Sequence, residues 1–254
     1  MRDLTSRIKG AIRANRDVPN LEMLSREEMR LASGEKHKKG SVKAILAFDT
    51  TDSMGAYRDQ LRQDLTYLVD SFDGMLEDYE LAFMGVGDHC DGKDYLQINH
   101  FSRNIDELKS QIAGIRNTQG GDIPEAFECF FRELNRGYPL AADSSLILIT
   151  DSVPHNMKGY MGTDFVPSTN FPDNGCPLNV DYQKELGHLK ERIGGFYIIS
   201  CPTYPKIREL QRALVDYDKY IMDLEKIESL PNLVMGMCMS EVGRLNYMMS
   251  MMQR

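Results

Sequence analysis

Val42-Lys43-Ala44-Ile45-Leu46-Ala47-Phe48-Asp49-Thr50-Thr51-Asp52-Ser53-Met54 is an apolar run that breaks abruptly into oxygen donors. A short apolar run bounded by polar residues reads as a strand buried on both faces. Its C-terminal end delivers Asp49, followed by hydroxyls at alternate positions, Thr51 and Ser53. In an open α/β sheet the crevice beyond the strand ends is where ligands bind. An Asp-x-Thr-x-Ser cluster offers only oxygen ligands, some of them neutral, and that chemistry suits a hard cation such as Mg²⁺. Asp52 falls out of step with these donors and is expected to cap the helix that follows.

Downstream, Leu61, Leu65, Leu68 and Phe72 recur at helical spacing over 54–72, and Asp73-Gly74 ends that helix. Residues 81–86 form a second buried strand. Asp88-His89-Cys90-Asp91-Gly92 reads as a polar, solvent-exposed turn, whose members lie too close in sequence to surround one zinc ion. Tyr95, Ile98 and Phe101 mark a shorter stretch that pairs back on the second strand as an edge. Asn104, with Glu107 three residues on, is a capping-box signature for a helix bearing Ile105, Leu108, Ile112 and Ile115. In Asn117-Thr118-Gln119-Gly120-Gly121-Asp122-Ile123-Pro124-Glu125-Ala126 the paired glycines make a tight turn. Pro124 and Glu125 suit the first turn of the next helix.

Residues 146–151 repeat the opening theme, an apolar strand ending in Asp151, and Pro154-His155 follows. Residues 157–180 are rich in Gly, Pro, Asn and Asp without apolar period. So long a loop inside a compact domain is functional or disordered, and this one leaves the sheet edge that carries Asp151. A helix over 182–193, a strand over 196–201, a long amphipathic helix over 207–224, a last strand over 233–239 and a Met-rich helix over 240–252 complete the pattern. Strands alternating with helices predict an α/β fold: a doubly wound, Rossmann-like, mostly parallel sheet of about six strands with one antiparallel edge strand and helices on both faces.

Among the 254 residues, 42% are hydrophobic and 27% charged, ordinary values for a globular chain. The net charge of −8 is uneven. Residues 1–40 carry 10 Lys/Arg against 6 Asp/Glu, which leaves 20 against 32 in the remainder. The first 40 residues therefore read as a basic helical extension and linker that docks on the domain or on a partner, and 41–254 as one domain. Five widely spaced cysteines without a C-x-x-C pair disfavour a disulfide framework or zinc knuckle. Neither a signal peptide nor an apolar stretch of about 18 residues is visible, so a cytoplasmic protein without membrane contact is expected.

Three stretches stand in register: Asp49-x-Thr51-x-Ser53, Gly120-Gly121-Asp122-x-Pro124-Glu125-Ala126, and Ile149-Thr150-Asp151-x-x-Pro154-His155. Their order and spacing resemble a von Willebrand factor A (vWA) domain with its metal-ion-dependent adhesion site. The resemblance is best over 41–201 and weak over the Met-rich 202–254. Its nearest flavour is that of intracellular vWA domains beside alpha-kinase domains or in bacterial conflict and stress systems. The resemblance implies Mg²⁺, with Mn²⁺ or Ca²⁺ as substitutes, held by Asp49, Thr51, Ser53, Asp151 and a second-loop ligand. That ligand is Asp122, where the family commonly has threonine, or else Thr118. It also implies a protein partner that offers an acidic side chain to the metal, with Thr118, Gly121 and His155 near the contact.

The alternative readings are a metal-dependent phosphoester hydrolase and an accessory nucleic-acid contact through the basic N-terminus. Hydrolases that use a strand-end aspartate usually want Asp-x-Asp, and here Thr51 stands two residues after Asp49. The basic extension lacks interleaved aromatics, which makes nucleic acid an unlikely partner. Met235, Met237 and Met239 alternate and would share a strand face as adaptable core filler.

Overall fold

A computed structural model describes residues 42–76, 78–121, 123–155, 157, 175–201, 205–216, 220–227 and 229–238. The basic extension, most of the 157–180 loop, Asp122 and the expected helix over 240–252 lie outside the described residues.

The opening stretch forms β1, Val42–Asp49, at the centre of a six-stranded sheet. It is followed by a 3-10 turn, Asp52–Ala56, and by α1, Arg58–Met75. Next come β2, Tyr79–Val86; β3, Leu96–Gln97; α2, Ile105–Gly114; and α3, Phe127–Asn135. The second half runs β4, Ser144–Thr150; α4, Tyr182–Arg192; β5, Gly195–Ser200; α5, Pro205–Arg212; and β6, Ile221–Asp223. The strand order is β3-β2-β1-β4-β5-β6, and every pair is parallel except β2 with β3.

Successive side chains of a strand point to opposite faces. Ala44, Leu46 and Phe48 accordingly pack into one core with Leu65, Phe72 and Ile112, while Ile45 and Ala47 pack into the other with Phe127, Phe131 and Leu189. Both faces of β1 are covered by helices, which is why its sequence is apolar at every position from Ala44 to Phe48 rather than at every second one. The chain leaves β1 toward β2 on one side and later returns to β4 on the other. That reversal between β1 and β4 opens a crevice beyond their C-terminal ends. Phe48 pairs with Ile149, so Asp49 and Thr150 finish side by side.

Several local expectations change. Asp52 does not cap α1; it is exposed and pairs with Arg58 at 2.9 Å, while the helix starts behind a 3-10 turn. Asn104 does cap α2, accepting from the Glu107 N–H. Glu107, however, accepts from the Ser102 hydroxyl, and Ser102 in turn takes the Asn104 N–H, so the second half of the box is relayed. The Asp88 turn is solvent-exposed only in part: Cys90 and Gly92 are exposed, but Asp88 is fully buried and forms a reciprocal capping box with Asp91.

The expected helix over 207–224 is divided into α5 and β6, so the last strand among the described residues is Ile221–Asp223. Residues 230–238 are helical instead. Leu230, Leu233, Val234, Met237 and Cys238 are all buried, at helical spacing, against the α1 side of the sheet.

Candidate metal centre

Asp49 ends β1 and turns its carboxylate into the crevice, where it is 1% exposed. Its Oδ1 accepts from the Thr51 N–H at 2.9 Å and from the Thr51 hydroxyl at 2.6 Å, and its Oδ2 accepts from the Thr150 hydroxyl at 2.8 Å. Thr51 Oγ1 lies 3.2 Å from Ser53 Oγ, and the Ser53 hydroxyl donates to Asp151 Oδ1 at 3.0 Å. Asp49, Thr51, Ser53 and Asp151 thus form one continuous chain of oxygens. Thr51 is extended and bonds back to Asp49, while Ser53 already lies in the 3-10 turn, which carries its hydroxyl across to Asp151.

Sequence reasoning missed a further carboxylate. Glu125 opens the turn into α3, but its side chain reaches back into the crevice rather than out to solvent. It is 1% exposed, and its Oε2 has no hydrogen-bond partner among the described residues. Burial, and after it the Asp151 charge beside it, raise the carboxyl of Asp49 to about 7. Glu125 is pushed well above the usual carboxylate range by burial and then by Asp49 and Asp88. Burying an isolated carboxylate is costly, and packing several together is more so. Three acids face one another here across two hydroxyls, with one oxygen left unsatisfied. A divalent cation would satisfy the orphan oxygen and offset the repulsion, and the hard all-oxygen donor set fits Mg²⁺.

The loop over 117–121 closes one side of the crevice. Gly120 has φ +72°, and a Cβ there would lie 3.1 Å from Thr51, so only glycine fits without displacing a site residue. Asp91 holds this loop by accepting from the Gln119 and Gly120 N–H groups at 3.0 and 3.1 Å. Thr118 is buried, and its hydroxyl lies 2.9 Å from that of Thr50, on the β2 side of the loop. Asp122, the other candidate second-loop ligand, lies outside the described residues. Gly121 is exposed. His155 is fully buried; its Nδ1–H points at the Glu125 carbonyl at 3.1 Å, and its Nε2 lies 3.4 Å from Asp88. Exposed Asp52, Ser53, Gly55, Gln119 and Gly121 rim the opening.

No protein-family model and no curated protein matches the chain. Solved structures do. The pilus adhesin SpaC from Lactobacillus rhamnosus GG superposes with a TM-score of 0.56 at 14% identity, covering 81% of this chain and 31% of SpaC. The fold is vWA-like. The vWF domain of the type V pili tip protein Mfa5 from Porphyromonas gingivalis matches with a TM-score of 0.52 at 12% identity, covering 82% of this chain and 97% of that one. A von Willebrand factor type A protein from Catenulispora acidiphila gives 0.51 at 12% identity, covering 81% and 44%. This vWA-like chain therefore spans less than a third of SpaC and nearly the whole of the Mfa5 domain. None of the described helices is long and apolar enough to cross a membrane.

Proposed function

We propose that this chain is a metal-dependent protein-interaction module. Asp49, Thr51, Ser53, Glu125 and Asp151 would hold Mg²⁺, which supplies a Lewis-acidic position for an oxygen of a protein partner. The observation that carries this reading is the hydroxyl-linked set of buried carboxylates together with the unsatisfied Glu125 oxygen. A pilus adhesin and a pili tip protein among the structural neighbours agree with an interaction role. Both oxygens of Asp49 are already engaged by Thr51 and Thr150, which disfavours its use as the exposed nucleophile of a hydrolase.

Three carboxylates around a divalent ion leave the site net negative. Such a site holds its ion firmly and attracts a partner's acidic side chain less strongly than a neutral set would. The exposed rim residues would carry much of the partner contact. The test is thermal unfolding with and without Mg²⁺, joined to affinity capture in Mg²⁺ or EDTA. Wild type should gain melting temperature and capture its partner only with Mg²⁺, and Asp49→Ala should do neither. An Asp49→Ala protein that Mg²⁺ still stabilises as it does wild type refutes the assignment.

A further inference from the structure

Around His89 the structure gathers a second set of donors, chemically unlike the first. His89 Nε2, Glu128 Oε1, Cys129 Sγ and Cys176 Sγ all lie within 4.8 Å of one another. They come from three separate segments: the turn after β2, the first turn of α3, and the described end of the long loop before α4. The two sulfurs are 3.6 Å apart, and the histidine nitrogen lies 3.5 Å from Cys176 and 3.9 Å from Cys129. The same nitrogen is 2.8 Å from Glu128 Oε1. Around a tetrahedral Zn²⁺, with bonds of about 2.3 Å to sulfur and about 2.0–2.1 Å to nitrogen, two sulfurs lie about 3.8 Å apart and sulfur and nitrogen about 3.6 Å. The three edges that include a sulfur are close to those values, and the His89–Glu128 edge, now a direct hydrogen bond of 2.8 Å, would open to about 3.4 Å around the ion.

Two other readings fit less well. A disulfide needs sulfurs at about 2.05 Å, and both cysteines are free. A cysteine–histidine–acid triad uses one ring nitrogen for the nucleophile and the other for the orienting acid. Here both sulfurs and the carboxylate converge on a single nitrogen, Nε2. Cys129 and Cys176 are moreover buried in a small apolar cluster with Ala126 and Val180.

We infer that His89, Glu128, Cys129 and Cys176 form a structural Zn²⁺ site. Thiolate and imidazole donors select Zn²⁺ over Mg²⁺, so the two centres would not compete for one ion. Glu128 is oriented from behind, since its Oε2 accepts the His155 N–H at 3.1 Å and His155 Nδ1 lies 3.4 Å from Oε1. Supporting contacts of this kind fix metal ligands in place. The ion would tie the end of the long loop to α3 and to the turn bearing Asp91, and Asp91 holds the 119–120 segment beside the first site.

The test is metal analysis of the full chain purified under reducing conditions. Wild type should carry stoichiometric zinc, one ion per chain, and Cys129→Ser and Cys176→Ser should lose more than nine-tenths of it. Asp49→Ala should retain it, so failure of the Mg²⁺ reading leaves this result standing. Co²⁺ exchanged into wild type should give thiolate charge-transfer and tetrahedral visible bands, a readout that needs no variant to fold. Zinc-free wild type with no Co²⁺ bands overturns the proposal. So does full zinc in both cysteine variants, or a Cys129–Cys176 disulfide found by peptide mapping of the reduced-buffer preparation.

Discussion

The crevice at Asp49 and the cluster at His89 are neighbours built from opposite chemistry. The first is assembled from strand ends, with hydroxyls and carboxylates and an exposed rim that begins at Ser53. The second joins a turn, a helix start and a loop end around sulfur and imidazole, and its cysteines are buried. Hard oxygen donors beside an exposed rim suit an ion that can share a position with a partner. Soft donors closed off from solvent suit an ion that staples segments together. On the readings proposed above the two centres would have different tasks: contact for the first, bracing for the second.

If that division is right, losing the buried ion should cost more stability than losing the exposed one. A site occupied at a thousandfold its Kd contributes about 4 kcal/mol, or roughly 8–16 °C of melting temperature in a domain of this size. The zinc-free Cys129→Ala/Cys176→Ala protein should fall by about that much. Mg²⁺ at a hundredfold its Kd contributes about 2.7 kcal/mol, so removing it with EDTA should lower the melting point of the zinc-loaded protein by roughly 5–10 °C. Differential scanning calorimetry orders the two, and the reverse order would break the comparison.

The pH response should also separate them. Asp49 is raised from 3.8 to about 7 in the folded chain, so between those values the native state binds more protons than the unfolded one. The contribution of Asp49 to stability in EDTA should therefore be largest below the unfolded value and be lost as pH rises to and through about 7, by on the order of 4 kcal/mol. A cation competes with that proton, so Mg²⁺ should stabilise more at pH 8 than at pH 5. Denaturant titrations at both pH values check the sign. A Mg²⁺ effect that is larger at pH 5 would mean that these carboxylates do not hold the ion.

The two centres also differed in how far the sequence exposed them. Asp49, Thr51, Ser53 and Asp151 were legible because each sits at or just beyond a strand whose burial on both faces shows as an unbroken apolar run. Glu125 was visible only as a first-turn acid of a helix. Nothing local says whether such a side chain faces solvent or turns back into a crevice. His89, Cys129 and Cys176 lie 40 and 47 residues apart, so no local spacing announces them. Their meeting depends on how α3 packs against the turn after β2. At the C-terminal end the misreading had a different cause. The alternating methionines at 235, 237 and 239 suggested a strand, but the stronger helical pattern of Leu230, Leu233, Val234, Met237 and Cys238 was in plain view, with Pro231 well suited to a first turn. Ile221 continued the spacing of Ile207, Leu210 and Leu214 by coincidence, and a strand of three residues is too short to impose its own period.

A smaller effect should follow from the loop that shapes the first centre. Gly120→Ala must hold a Cβ at φ +72° and 3.1 Å from Thr51. The left-handed conformation and the close contact together should cost about 1–2 kcal/mol. Displacing Thr51 should weaken Mg²⁺ binding, while zinc content stays at wild-type level. Isothermal titration calorimetry with parallel metal analysis would read both. Loss of zinc in this variant would show that the centres fold as one unit.

The smallest expected effect is the coupling itself. Asp91 is the one described side chain that accepts from the backbone of the 119–120 segment, and it also takes the Asp88 N–H at 2.8 Å beside His89. In Asp91→Asn an amide replaces an acceptor that serves three N–H groups, so the segment should loosen without loss of either ligand set. If bracing reaches the first centre through this contact, Mg²⁺ affinity should fall by up to about fivefold, the lower end of ordinary coupling between sites. Removing zinc from wild type should produce a similar loss of Mg²⁺ affinity, and removing zinc from Asp91→Asn should add little to it, because both changes act on the same contact. Additive losses would place the connection elsewhere, most plainly through the start of α3, where Glu125 in the preceding turn is four residues from Cys129.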